Sequence, residues 1–322
     1  MAAVPPEGWN RLPRIPAAGG VSRPVQAVVT APRLLEGAGF PVRRPFPGPG
    51  IGFREADPFL LLDHMGPVDY GPGEAKGAPW HPHRGFETVT YMLEGVLRHQ
   101  DSHGGGGVIA GGDTQWMTAG AGILHDEMPD GELVARGGRF HGVQLWVNLP
   151  RVLKWTPPRY QSLAAAEVKY LTTARGDGLV RVIAGAVAGV RGPGRTWTPV
   201  TVVHVSLEPE AELSLPWPPA YNALAYVLEG SGTAGPERVL VHDGQGIRFG
   251  AGDRLCFAAA ARPGGSTGRL EVLILGGQPL REPVAAYGPF VMNTHAEIVE
   301  AFRDFEAGRM GRIPPAAGAD DA

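Results

Sequence analysis

The chain has a single cysteine, Cys256, among its 322 residues. An internal disulfide is therefore excluded, and a reducing compartment suits the protein. Charge is scarce too: Asp, Glu, Lys and Arg make up 19% of the residues, with a formal net charge of −3. That balance provides no field for a polyanion, so nucleic acid is not an implied partner. No stretch reaches the roughly 18 consecutive apolar residues of a membrane span. The opening MAAVPPEGWNRLPRIPAAGG lacks the apolar core of a secretory signal. These absences lead us to expect a soluble, cytoplasmic protein that binds neither nucleic acid nor membrane directly.

What is abundant is glycine, 48 residues, and proline, 32, together about a quarter of the chain. The 43% of hydrophobic residues spread along the sequence indicates a folded protein with many turns. Residues 1–22 and 311–322, rich in Pro, Ala and Gly, are expected to be disordered. The length accommodates two domains.

Strand signals dominate. RPVQAVVTA, PFLLLDHM, FETVTYML, GVQLWVNL, VRVIAG, VTVVHVSL, ALAYVLE and RLEVLILGG are short β-branched or aromatic runs bounded by Gly, Pro or Asp. Many short strands at close spacing predict an all-β sandwich or barrel architecture. One helix is expected in NTHAEIVEAFRDFEAG, at 293–310. Thr294 and Glu297 have capping-box spacing, Ile298, Phe302 and Phe305 share a face, and Gly308 can close the end.

A weak internal repeat is present. YMLEG at 91–95 recurs as YVLEG at 226–230, and Gly112-Asp113 is matched with Gly252-Asp253. Two copies of one β module are therefore expected, at 23–150 and 151–292, joined near NLPRVLKWTPPRYQSL. The apparent phosphate-loop pattern GSGTAG at 230–235 leads into PERVLVH rather than a helix, and is read as a hairpin turn. HGGGG at 103–107 reads as a hairpin tip.

The first copy carries two pairs spaced i, i+2: His81 with His83, and His125 with Glu127. On a strand that spacing puts both side chains on one face, so neighbouring strands could aim four ligands at one interior point. Three imidazoles and a carboxylate suit Fe, Mn, Co, Ni, Cu or Zn. The second copy has Pro218, Ala220 and Asn222 near the places of His81, His83 and Glu87, and no histidine after its Gly-Asp turn. Only the first can hold a metal this way. The remaining histidines, 64, 99, 103, 141, 204, 242 and 295, read as surface or satisfied core residues. Gln115 and Trp116 are candidates to line the pocket, with plain packing at least as good an account of Trp116.

HPHRGFETVTYMLEG, GDTQWMTAGAGILHDEMP, HGVQLWVNLP and PLREPVAAYGPFVMNT closely resemble the pirin family of the cupin superfamily, from about residue 24 to about 310. The resemblance implies a bicupin: two facing β-barrels (double-stranded β-helix, jelly-roll) with a C-terminal helix and a metal, usually iron, in the first barrel. It further implies that the ligands are His81, His83, His125 and Glu127. The general cupin pattern would instead use Glu87, which is here expected to orient a histidine from behind. Asp126 should point away. As an activity, the resemblance implies quercetin 2,3-dioxygenase-type cleavage of a flavonol or related phenolic with loss of carbon monoxide, with Glu127 also taking the hydroxyl proton. The substrates are then a small phenolic and dioxygen, and the cofactor Fe(II), with Mn, Ni, Co, Cu or Zn as alternatives. The other role it implies is an iron-dependent, redox-sensing regulator that binds a transcription factor or metabolic enzyme.

Overall fold

The computed structural model describes residues 8–16, 19–261 and 268–314. The eight runs read as strands fall on the strands Val25–Thr30, Phe59–Tyr70, Phe86–Glu94, Gly138–Asn148, Gly178–Ala184, Val200–Leu207, Asn222–Glu229 and Leu270–Gly277. All eight lie in two seven-stranded antiparallel sheets, which two four-stranded antiparallel sheets accompany. In the first module the large sheet runs, edge to edge, Arg159–Leu163, Thr114–Thr118, Phe86–Glu94, Gly138–Asn148, Phe59–Tyr70, Phe40–Phe46 and Arg33–Glu36. Its small sheet runs Ala78–His83, Ile123–Pro129, Val96–Asp101 and Gly106–Ala110.

The second module repeats this order strand for strand, with Val25–Thr30 at the edge of its large sheet and Glu212–Pro216 beside Arg254–Ala259 in its small one. YMLEG and YVLEG end corresponding strands. The Gly-Asp match does not hold. Gly112-Asp113 leads into Thr114–Thr118 of a large sheet, whereas Gly252-Asp253 leads into Arg254–Ala259 of a small one. Gly-Asp marks a tight turn wherever a hairpin needs one, so it is a poor guide to equivalence.

The modules exchange edges. Segment 25–30, grouped with the first domain by sequence, pairs with Gln245–Phe249 of the second. Segment 159–163, grouped with the second, pairs with Thr114–Thr118 of the first. Each covers an edge that would otherwise expose unpaired backbone. Part of the arm expected to be disordered is also placed. Trp9–Arg11 forms a 3-10 turn, Ile15 donates its N–H to Thr172 O, and its side chain is buried in the second module's core. Residues 1–7, 17–18 and 315–322 lie outside the described residues.

Alternation sends side chains of each large sheet to two different cores. In strand Phe86–Glu94, Val89, Tyr91 and Leu93 pack back to back with Leu224, Tyr226 and Leu273 of the second module. Thr90 and Met92 face the first module's interior instead. In the second module the inward pairs Leu213, Leu215 and Leu255, Phe257 lie in one buried apolar cluster. Apolar pairs thus stand on the strands that correspond to those carrying the His and Glu pairs.

GSGTAG forms a short strand, Ser231–Ala234, between turns at Gly230 and Gly235, more ordered than the turn expected. The helix spans His295–Glu306, with the Thr294–Glu297 capping box in place. Ile298 and Ala301 are buried, while Phe305 is 40% exposed, so the buried face is narrower than the sequence pattern implied. Gly308 closes the end at φ +70°. Among the described residues no helix is long and apolar enough to cross a membrane.

Candidate metal centre

Strands Ala78–His83 and Ile123–Pro129 are antiparallel neighbours that place His81 opposite His125 and His83 opposite Ile123. The i, i+2 rule then turns His81, His83 and His125 to one face. One ligand atom from each lies within 4.8 Å of the others. His81 Nε2 and His83 Nε2 are 3.0 Å apart, and ring centroids of the three are separated by 4.3–4.9 Å.

The backbone decides which ring nitrogens carry protons. His81 Nδ1 faces the carbonyl of Pro79 at 2.8 Å, and His83 Nδ1 faces that of Pro289 at 3.1 Å. A carbonyl only accepts, so each Nδ1 carries a hydrogen, and in the neutral ring the lone pair is then on Nε2. His125 Nε2 is buried without any partner. Burial, and then the neighbouring imidazoles, hold His83 and His125 well below the usual histidine range, so both are neutral at pH 7. A neutral imidazole offers one ring lone pair, and a divalent transition ion accepts three such nitrogens at this separation.

Glu127 does not complete this group. The ladder slips between His125 and Glu127, setting Glu127 opposite Ala78. Its carboxylate forms a second potential metal-holding group with His125 and His99. Glu127 Oε1 accepts from Thr90 Oγ1 (2.7 Å) and Gln115 Nε2 (3.3 Å), and Oε2 accepts from Gln144 Nε2 (2.7 Å). Gln115 is thus brought to the site, bridging Glu127 and His99. Asp126, half-buried, belongs to neither group, and Trp116 packs in the core between the modules.

Glu87 is placed elsewhere. Fully buried in the large sheet, it accepts from Thr118 Oγ1 at 2.7 Å and lies 3.8 Å from Arg159, with no histidine against it. Burial pushes its carboxyl up to about 7, against the Thr118 hydrogen bond. The residue sequence reasoning undervalued is His99. Its signal was HQD, the i, i+2 pair His99 and Asp101, whose strand sets His99 opposite Glu127 and Asp101 opposite His125.

His81, His83, Glu127 and Gln144 line a cavity of about 590 Å³, walled also by Phe53, Trp80, Trp146, Tyr287 and the bidentate Arg44–Asp63 pair. The wall carrying Tyr287 and Pro289 comes from the far C-terminal hairpin. Buried Lys154 ties it down, donating to Gly85 O (2.8 Å), Asn148 Oδ1 (2.7 Å) and Val291 O (3.0 Å). Gly85, in the left-handed region at φ +90°, has no room for a side chain: a Cβ would meet Val291 O at 2.0 Å.

The chain resembles known proteins over most of its length. The Pirin family model matches residues 39–147, and the Pirin C-terminal cupin domain matches 202–311. A pirin-like protein of Solanum lycopersicum is 40% identical over 300 residues, covering 89% of this chain and 96% of its own. Pirin of Rattus norvegicus is 38% identical over 294 residues, covering 90% and 94%. The crystal structure of a quercetin 2,3-dioxygenase from Acinetobacter baumannii superimposes with a TM-score of 0.83 at 38% identity, covering 91% of this chain and 99% of that one. The repeated sheets are accordingly two cupin domains, and the chain belongs to the pirin family.

Proposed function

We propose that this site holds one divalent transition metal, Fe(II) by preference, and catalyses quercetin 2,3-dioxygenase-type cleavage of a flavonol or related phenolic. The observation that carries the reading is the convergence of one ligand nitrogen from each of three imidazoles beside an aromatic-walled cavity of about 590 Å³, a size that suits a three-ring phenolic. The Acinetobacter baumannii quercetin 2,3-dioxygenase, similar over nearly its full length, supports the same chemistry.

In this reading His81, His83 and His125 bind through Nε2, and Glu127, which the structure groups with His125 rather than with all three, moves in as the oxygen ligand. A metal bound there supplies Lewis-acid and redox chemistry for uniting the phenolate with dioxygen. The chain's own part is positioning and proton transfer. Trp146 and Phe53 offer flat apolar walls for the rings. Glu127 is the one carboxylate shared by the cavity and the cluster, and takes the proton of the substrate hydroxyl. Thr90, Gln115 and Gln144 fix its two oxygens, so reorientation costs little during reaction.

The test is quercetin loss, followed by absorbance together with dioxygen uptake, on protein reconstituted anaerobically with Fe(II), beside His83→Ala. Turnover that vanishes in the variant is expected. Absence of turnover with Fe, Mn, Ni, Co or Cu, despite stoichiometric metal, would sink the dioxygenase reading and leave a metal-dependent regulator that docks on another protein.

A further inference from the structure

Behind His125, on the side away from His81 and His83, lies a polar chain that includes two residues the proposed chemistry does not use, His99 and Asp101. His99 Nδ1 is 3.4 Å from His125 Nδ1 and 3.1 Å from Gln115 Nε2. His99 Nε2 lies 3.5 Å from Asp101 Oδ2. His99, Asp101, Gln115 and His125 are all at most 2% exposed, so water does not compete for these groups. Tyr160, from the strand that the linker adds to this module, stacks on His99 at 5.1 Å and 18°.

Hydrogen counting fixes the protons along this chain. The Gln115 amide must turn its N–H₂ toward the carboxylate of Glu127, because its oxygen would be repelled there. The same N–H₂ then donates to His99 Nδ1, which must be the unprotonated nitrogen. The His99 proton therefore sits on Nε2, facing Asp101 Oδ2. An unprotonated His99 Nδ1 can only accept from His125, which places the His125 proton on Nδ1 and leaves its Nε2 bare toward the cluster.

We propose that Asp101 and His99 are positioning residues that set the tautomer of His125 and so make its Nε2 available to a metal. The inference rests on the metal reading above. Among the described residues no backbone carbonyl serves His125 as Pro79 and Pro289 serve the other two imidazoles, and the Asp101–His99 pair takes that place. Removing the charge on Asp101 reverses the chain. Asp101 Oδ1 accepts from the N–H groups of His103 and Gly105, so an asparagine would keep its oxygen there and turn N–H₂ toward His99 Nε2. His99 would then hold its proton on Nδ1, against the N–H groups of Gln115 and His125, and His125 would have to move its proton to Nε2.

Two measurements test this. Long-range ¹H–¹⁵N correlation on the metal-free wild type reads the tautomers directly. Nδ1–H on His125 and Nε2–H on His99 are expected, and the opposite tautomer on either overturns the proposal. Co(II) titration, followed by its visible ligand-field bands, is then run on the wild type and Asp101→Asn. The variant is expected to bind about 10–100-fold more weakly. Equal affinity and identical bands in the two proteins overturn the positioning role and leave the metal reading intact. A wild type that does not bind Co(II) overturns the metal reading, and the inference with it.

Discussion

Tyr91 of the first module hydrogen-bonds to His204 of the second at 2.8 Å, and Tyr226 of the second reaches back to His64 of the first at 3.0 Å. The symmetry is exact in the strand register: Val143 pairs with both Tyr91 and His64, and Leu273 with both Tyr226 and His204. Each bond continues on the far side. His204 Nε2 meets Glu271 at 3.0 Å, and His64 Nε2 meets His141 Nε2 at 2.7 Å. Four of the six residues are a tyrosine and a histidine taken twice, so a paired polar clasp joins the two modules beside their shared apolar cluster.

Tyr91→Phe and Tyr226→Phe are each expected to leave a buried imidazole nitrogen without its partner, at about 1–3 kcal/mol. Burial raises both phenols, so each hydroxyl keeps its proton throughout the ordinary pH range. Equilibrium urea unfolding of the metal-free protein should give a lower midpoint for each variant with an unchanged slope. A midpoint equal to wild type in either would show that half of the clasp contributes nothing.

The His64–His141 pair predicts acid lability. Burial, with His141 and Arg43 adding repulsion, holds His64 well below the usual histidine range. Burial lowers His141 to about 4, reinforced by His204 and Arg139 and opposed by Glu94 and Glu271. Below pH 6.5 the unfolded chain takes up protons that the folded pair refuses. The stability they contribute is thus complete above 6.5 and is lost as pH falls toward 4, at up to about 1.4 kcal/mol per unit per group. His141→Gln should flatten the decline of stability between pH 6.5 and 4; an unchanged decline would rule the pair out as its source.

Much of this was legible in the sequence. The eight strand runs and the capping box at Thr294 depend on local periodicity and turn chemistry, and each is where the pattern put it. What was not legible depends on pairing between distant segments. Nothing local in 25–30 or 159–163 says that these strands cross to the other module. His99 looked like a lone histidine because its partners, Gln115 and His125, come from other strands. Glu127 kept the expected face but left the three-histidine group, because the ladder slips after His125.

The two buried glutamates should separate cleanly when each is made neutral. Glu127 shares a metal-capable group with His125, whereas Glu87 belongs to none and bonds to Thr118. Glu127→Gln is therefore expected to lower metal retained after dialysis, and Glu87→Gln to retain the wild-type stoichiometry. Their pH behaviour differs as well. Raised to about 7, Glu87 is protonated when folded and ionised when unfolded between 4.5 and 7, so its contribution is complete below 4.5 and lost as pH rises through 7. Glutamine mimics the protonated acid, so Glu87→Gln should match wild-type stability near pH 4 and exceed it near pH 8. Metal loss in Glu87→Gln equal to that in Glu127→Gln would instead make Glu87 part of the metal site, as the general cupin pattern has it, and would require a rearranged strand Phe86–Glu94.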